Sequence, residues 1–157
     1  AICVVETPGG PYRIEIEKFQ VGPGRTILAE GEILVAFELP ARPPKSGDAY
    51  LRLIPRTEMD IAVVGAGVSL TFEGSGIVTA ARVSVGAVAP TALLVEAAGA
   101  ALVGSKLEEA ALAKMDAAVA AAAKPISDKR GTAEYRTKIA TVLARRAAMI
   151  AKDRAGA

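Results

Sequence analysis

Residues 60–72 read Asp-Ile-Ala-Val-Val-Gly-Ala-Gly-Val-Ser-Leu-Thr-Phe, and this stretch decides the fold of the chain. Apolar residues occupy every second position from Ala62 to Phe72, which is the repeat of a strand with one buried face. The pattern recurs over residues 77–88 after a glycine-rich turn, and a further strand is predicted over residues 48–54. We therefore expect a three-stranded antiparallel sheet with one covered face.

The pattern changes to that of helices beyond residue 90, and three helices are predicted. The first covers residues 91–102, and the second follows a capping box at Ser105–Glu108 and ends before Pro125. The third runs from about Thr132 to Lys152, and its predicted apolar stripe consists of Tyr135, Ile139, Val142, Leu143, the stem of Arg146 and Ile150. Three helices packed on an antiparallel sheet make an α+β domain.

The first forty residues are predicted to form short strands joined by turns. Residues 2–6 and 12–16 flank the cluster Pro-Gly-Gly-Pro, which favours a hairpin, and residues 32–39 alternate as another strand. Residues 41–47, Ala-Arg-Pro-Pro-Lys-Ser-Gly, have the composition of an extended linker. We therefore divide the chain into a segment 1–40, a linker 41–47 and a domain 48–157.

Composition excludes several classes of function. The 157 residues include no histidine and no tryptophan, and Cys3 is the only cysteine, so histidine-based catalysis, a Cys/His zinc site and an internal disulfide are ruled out. A net charge of +2 and six Phe and Tyr residues argue against a nucleic-acid partner. The longest apolar run, residues 110–123, is too short and contains Lys114 and Asp116, so no membrane span is predicted. The lone cysteine fits a reducing, cytoplasmic compartment.

Two glycine-rich stretches could suggest nucleotide binding, but neither has the full motif. Gly65-Ala66-Gly67 lacks the third glycine, and more strand follows it where a dinucleotide-binding site needs a helix. We prefer glycines in a sheet on which something packs closely. Residues 22–26, Gly-Pro-Gly-Arg-Thr, lack the Gly-Lys-Ser/Thr ending of a phosphate loop and fit a turn between two strands.

Charged residues cluster at the connection that follows the strand 48–54. Arg52, Arg56, Glu58 and Asp60 lie on and beside a proline-containing loop, which is either a solvated loop or a binding loop on a rigid support. The basic residues near the carboxyl terminus are predicted to form a solvated helix face: Arg136, Lys138, Arg145, Arg146, Lys152 and Arg154. Cys3 is predicted to be a buried, unreactive thiol.

Four segments together resemble the FAD-carrying medium subunit of molybdenum hydroxylases, the carbon monoxide dehydrogenase and xanthine dehydrogenase family. The segments are Phe19–Pro40, Tyr50–Ala62, Val88–Thr91 and Ser127–Arg136, in the order and with the linking lengths of that family. The most specific is Ser-Asp-Lys-Arg-Gly-Thr-Ala-Glu-Tyr-Arg at 127–136. The resemblance covers essentially the whole chain.

This resemblance implies a role in electron transfer. In the family, electrons pass from a molybdenum cofactor on a large subunit, through 2Fe-2S clusters on a small subunit, to FAD on the medium subunit and then to an external acceptor. Residues 1–40 would be the end of an FAD-binding domain and residues 48–157 the flavoprotein C-terminal domain. The glycine-rich segments that grip the FAD pyrophosphate in the family have no match here, so we expect the chain to be incomplete and to bind FAD weakly or not at all by itself.

The resemblance also assigns flavin contacts by position. Ile33 and Leu34 correspond to backbone and apolar contacts, Arg52 takes the place of a lysine that approaches the flavin, and Asp60 lies in the loop that borders the isoalloxazine ring. No catalytic residue and no metal ligand are assigned to this chain, so it is expected to be part of an FAD-dependent oxidoreductase without a complete active site. Two alternatives remain open: a non-catalytic domain that docks subunits and covers the flavin, or a small nucleotide-binding enzyme that uses Gly65-Ala66-Gly67.

Overall fold

A computed structural model describes residues 1–56 and 60–157 of the chain. The described residues form two compact units, Ala1–Arg42 and Pro43–Ala157. Each unit has its own sheet and is described by itself. In residues 1–56 and 60–157, no helix combines the length and the apolar content needed to cross a membrane.

The first unit is built on a hairpin. Its elements are β1 (Ile2–Glu6), β2 (Tyr12–Glu15), a single-turn α1 (Ile16–Phe19), β3 (Gln20–Gly22), β4 (Arg25–Thr26) and β5 (Ile33–Glu38). β1 lies between β2 and β5, antiparallel to both, and Val5 faces Tyr12 across the predicted turn. Cys3 and Val5 are fully buried, which confirms the predicted burial of the cysteine. The glycine-rich stretch at 22–26 is the turn between β3 and β4, so the prediction of a turn is confirmed.

The second unit contains the predicted antiparallel sheet with one additional short strand. β6 (Ser46–Leu53), β7 (Val64–Phe72), β8 (Val78–Gly86) and β9 (Leu93–Leu94) are hydrogen-bonded in chain order. Even-numbered residues of β7 from Val64 to Phe72 are buried, as the alternation predicts, but the strand begins four residues later than expected. β6 begins two residues earlier than predicted, inside the segment interpreted as a linker.

Three helices follow the sheet: α2 (Glu96–Leu102), α3 (Glu109–Ala122) and α4 (Ala133–Ala155). The first is shorter than predicted because Leu93 and Leu94 pair with Val85 and Ser84 and extend the sheet. Without this pairing, the part of β8 at Ser84 and Val85 would be an unpaired sheet edge. α4 begins where expected, because the Thr132 hydroxyl accepts a hydrogen bond from the Tyr135 amide at 3.1 Å.

The predicted capping box at Ser105–Glu108 is wrong. Ser105 Oγ donates to the Leu102 carbonyl at 2.7 Å and accepts from the Leu107 amide at 3.2 Å, so the side chain closes the end of α2. Leu107 has φ +62°, a left-handed conformation that no helix continues through. The helix therefore starts only at Glu109, after the chain has turned.

The face that α4 buries consists mostly of alanine. The buried residues of α4 are Arg136, Ala140, Leu143, Ala144, Ala147, Ala148 and Ala151. Of the predicted stripe only Leu143 is in this set, and Tyr135 is 44% exposed. The helix lies too close to the sheet for larger residues: a Cβ added at Gly47 of β6 would come within 2.0 Å of the Ala151 carbonyl oxygen. Ile139 and Ile150 pack at the sides of this contact, partly buried.

Arginine contacts add polar support to the helix pair α3–α4. Arg145 donates from Nη2 to Asp116 Oδ2 at 2.6 Å and from Nη1 to Glu109 Oε2 at 2.6 Å. These hydrogen bonds raise the pKa of Arg145 above its usual range, so its charge is permanent. α3 and α4 are therefore joined by an ion-pair cluster.

Candidate functional site

The connection between β6 and β7 carries the charged cluster that the sequence singles out. Arg52 lies opposite Gly65 of β7, near the end of β6, and its side chain is exposed. The Val63 amide donates to the Leu53 carbonyl at 2.8 Å and closes the base of the connection. Glu58, also predicted to lie in this loop, is outside the described residues. A rigid sheet edge thus supports a loop with an exposed cation at its start.

Asp60 has a buried side chain whose carboxylate holds the backbone of this connection. Its side chain is only 6% exposed. Oδ1 accepts a hydrogen bond from the Ile61 amide at 2.8 Å, and Oδ2 accepts one from the Arg56 amide at 3.2 Å. Burial raises the pKa of Asp60, but the Ile61 amide and the Arg56 guanidinium and amide outweigh it, and the pKa lies below its usual value. The carboxylate is therefore ionised at neutral pH and fixes the loop backbone on both sides.

A second loop, the turn Asp128–Gly131, lies just before α4. The backbones of Asp128 and Gly131 hydrogen-bond to each other in both directions, at 3.1 and 3.2 Å. Asp128 Oδ1 accepts from the Arg130 amide at 2.8 Å and from Arg136 Nη2 at 2.5 Å. These two contacts, with the nearby positive charges, lower the pKa of Asp128. The turn also places Arg130 Nε 3.7 Å from Asp60 Oδ1, so the two loops meet.

Arg136 is the buried anchor of this arrangement. The residue is 4% exposed, and Nη1 donates to the Val63 carbonyl at 2.9 Å. Because Val63 immediately precedes β7 and Arg136 lies in the first turn of α4, the guanidinium ties the start of the helix to the start of the strand. The prediction that Arg136 belongs to a solvated helix face is therefore wrong, since its partners are distant in sequence and a helical charge pattern does not reveal them.

The glycines of Gly65-Ala66-Gly67 lie inside β7 and do not precede a helix. A Cβ added at Gly65 would lie 2.6 Å from Tyr50 Oη, and one added at Gly67 would lie 2.9 Å from Ser84 Oγ. The Tyr50 side chain therefore packs where a side chain at residue 65 would lie, and the Ser84 hydroxyl does the same at residue 67. This confirms the interpretation of glycines on which a neighbour packs closely.

The other two predicted site residues lie in the first unit. Ile33 and Leu34 begin β5, an edge strand, opposite Glu6 and Val5 of β1. Ile33 is 64% exposed and Leu34 is partly buried. In the second unit Asp60 meets Arg56 and Arg130, whereas Arg52 lies on the neighbouring strand. The four predicted residues therefore divide between the two units.

Sequence reasoning did not identify Asp128, Arg130 and Arg136 as residues that contact one another. All three belong to the segment Ser127–Arg136, the most specific part of the resemblance, so its specificity was the signal available. An Asp and an Arg eight positions apart, on either side of a helix start, meet when the intervening turn folds back. Here they meet through the Asp128–Gly131 bridge.

The fold and these contacts define an α+β domain in which α2 and α4 pack on an antiparallel sheet, α3 packs on both helices, and two charged loops meet. The chain belongs to the CO dehydrogenase flavoprotein C-terminal domain family, whose sequence model matches residues 49–151.

Comparisons with individual proteins agree. The chain is 41% identical over 148 residues to the carbon monoxide dehydrogenase medium chain of Afipia carboxidovorans, a match that covers 94% of this chain and 51% of that protein. It is 29% identical over 133 residues to the xanthine dehydrogenase FAD-binding subunit of Escherichia coli O157:H7, covering 84% and 45%. The solved structure of reconstituted CO dehydrogenase from Oligotropha carboxidovorans superposes with a TM-score of 0.92 at 38% identity, covering 98% of this chain and 53% of that one. The chain thus spans about half the length of the curated relatives it matches.

Proposed function

We propose that this chain contributes the C-terminal domain of a flavoprotein subunit that transfers electrons in a molybdenum hydroxylase. The observation that carries the proposal is the family match over residues 49–151, together with relatives named as a CO dehydrogenase medium chain and an FAD-binding subunit. The proposed cofactor is FAD, and the proposed partners are a large subunit with the molybdenum cofactor and a small subunit with 2Fe-2S clusters. The division into 1–40, 41–47 and 48–157 is part of the same proposal.

Each unit offers side chains of a kind that contacts flavins. In the second unit Arg52 is an exposed cation on β6, and in the first unit, taken by itself, Ile33 is an exposed apolar side chain on β5. The described residues do not suit the pyrophosphate in the same way, because the stretch Gly22–Thr26 turns between two short strands and no helix N-terminus follows it. The fit is therefore to the redox-active ring, with the phosphates held elsewhere.

When bound, FAD would accept and release the electrons. Arg52 would act by its charge: a guanidinium near the ring stabilises the negative charge that the cofactor gains on reduction, which raises its midpoint potential. Asp60 would act by position, because both of its oxygens are engaged in holding the loop backbone. The single cysteine, free and buried, is consistent with the proposed cytoplasmic location.

A second candidate function is a non-catalytic domain that docks partner subunits and covers the flavin. It is favoured by the exposed apolar side chains of the region of β5, where Ile33, Val35, Phe37 and Leu39 are 52–79% exposed. Exposed apolar rows of this kind mark interaction surfaces. This function and the first differ in whether residues of the chain change the properties of the flavin.

The substitution Arg52→Ala tests the proposal in the full-length protein loaded with FAD. We expect a lower flavin midpoint potential or a weaker retention of FAD, because the cation is lost while the strand is kept. Arg146→Ala, at an exposed position on α4, is the matched control and should leave both properties unchanged. If Arg52→Ala and Arg146→Ala behave alike in a folded, flavin-loaded protein, Arg52 has no role at the cofactor and the docking function is favoured.

A further inference from the structure

The two charged loops of the second unit are joined by an uninterrupted series of opposite charges. Arg56 Nε lies 3.5 Å from Asp60 Oδ2, and Arg130 Nε lies 3.7 Å from Asp60 Oδ1. Arg130 Nη1 lies 3.9 Å from Asp128 Oδ2, and Arg136 Nη2 lies 2.5 Å from Asp128 Oδ1. The series runs from the connection between β6 and β7 to the first turn of α4.

The two ends of this series differ most in burial. The side chain of Arg56 is 72% exposed, those of Arg130 and Asp128 are 36% and 31% exposed, and that of Arg136 is 5% exposed. Asp60 is as buried as Arg136, at 6%. The fixed end is therefore Arg136, which is bound to the core through the Val63 carbonyl, and the adjustable end is Arg56 on the loop.

Arg130 is the residue that links the buried end of the series, at Arg136, to the exposed end, at Arg56. It faces both carboxylates, Asp60 and Asp128, and its contacts at 3.7 and 3.9 Å are ion pairs longer than hydrogen bonds. Asp60 in turn accepts a hydrogen bond from the Arg56 backbone amide. The position of the backbone at Arg56 therefore depends on where Arg130 holds Asp60. The guanidinium thus fixes the loop without touching Arg56 itself.

We propose that Arg130 is a positioning residue that holds the connection after β6, and with it the exposed charge of Arg56, in place beside the cofactor. The inference rests on the proposed function for its meaning at the flavin, but its structural part does not need the cofactor. It predicts a coupling between the turn at 128–131 and the described residues Arg56, Asp60 and Ile61 that local sequence does not indicate.

The first readout is proteolysis of the loop. In the full-length protein, Arg130→Met should speed tryptic cleavage of the bond after Arg56 by about two- to fivefold, the opening expected when a partly exposed ion pair is lost. Arg130→Lys should restore the wild-type rate, because a point charge suffices at these distances. Lys129→Met removes the neighbouring exposed charge from the same turn and should have no effect. Mass spectrometry quantifies the fragment cut after Arg56.

The second readout is the midpoint potential of bound FAD in the same variants. We expect it to fall in Arg130→Met, because the Arg56 charge is held less firmly, and to recover in Arg130→Lys. Should Arg130→Met fail to fold, Arg130→Gln replaces it with the same expected results. Unchanged cleavage in the methionine or glutamine variant, or an equal effect of Lys129→Met, overturns the positioning role. A wild-type protein that takes up no FAD overturns the proposed function instead, and the cleavage measurement still decides the role of Arg130.

Discussion

At the scale of single residues, the arrangement depends on one buried guanidinium. Arg136 donates hydrogen bonds to the Val63 carbonyl and to the Asp128 carboxylate at once, from a side chain that is 5% exposed. A buried charge is tolerated only when its partners are in place, and removal of one partner leaves the other uncompensated. Arg136 therefore serves the fold and, through Asp128, the position of the turn at 128–131.

Arg136→Met should destabilise the protein by about 3 kcal/mol, because the buried Val63 carbonyl loses its guanidinium donor and the Asp128 carboxylate loses its buried ion-pair partner. Urea unfolding followed by circular dichroism measures the change. Arg146→Met, an exposed position on the same helix, should stay within about 0.5 kcal/mol of wild type. A loss below about 1 kcal/mol for Arg136→Met would contradict the assigned role of the buried guanidinium.

At the scale of elements, the closeness of α4 to β6 determines what the core can contain. The helix backbone lies directly above Gly47, and alanines fill the space on either side. Small residues contribute little apolar area each, but they let the backbones approach and keep the interface dense. The alanines on the buried face of α4 are thus a property of this contact.

Gly47→Ala tests that contact. The added Cβ would lie 2.0 Å from the Ala151 carbonyl oxygen and 2.8 Å from the Ala155 amide nitrogen, so the helix has to move. We expect a loss of about 3 kcal/mol in the free energy of unfolding, as for other overpacked cores.

Gly86→Ala is the control, because among the described atoms none lies within 4 Å of its added Cβ. Its effect should be under about 0.5 kcal/mol. Equal stabilities of the two variants in thermal or urea unfolding would show that α4 and β6 are not in close contact.

Elements with a regular local pattern could be predicted from the sequence, and those fixed by distant partners could not. The alternation in residues 64–72 and the start of α4 near Thr132 required only neighbouring residues, and both are present. The capping box at Ser105 failed because the positive φ of Leu107 turns the chain there. The buried face of α4 was misplaced because the pattern was sought among large side chains, whereas proximity to Gly47 selects alanine.

The candidate site shows the same division. Asp60 and Arg52 were singled out from a cluster of charges near a proline, which local sequence displays. Arg136 was assigned to solvent, because its contact with Val63 joins segments that lie far apart in the chain. Only the specificity of the segment 127–136 indicated that its charged residues have a role beyond a solvated surface.

At the scale of the whole molecule, the chain supplies structural support, and the redox chemistry is proposed to belong to a cofactor. It has no histidine and one buried cysteine, and it spans about half the length of the relatives it matches. Its contribution would be a rigid sheet edge with an exposed arginine and a loop fixed by buried charges. The remaining contacts to FAD are expected from segments that residues 1–157 do not contain.

The flavin content of the full-length natural protein tests this account most directly. Purified protein should show a flavin absorbance spectrum equivalent to about one FAD per polypeptide, or should take up FAD to that level, whereas residues 1–157 alone should retain little. A full-length protein that neither carries nor binds FAD would contradict the proposed function. Tight, stoichiometric binding by residues 1–157 alone would contradict the claim that the phosphates are held elsewhere.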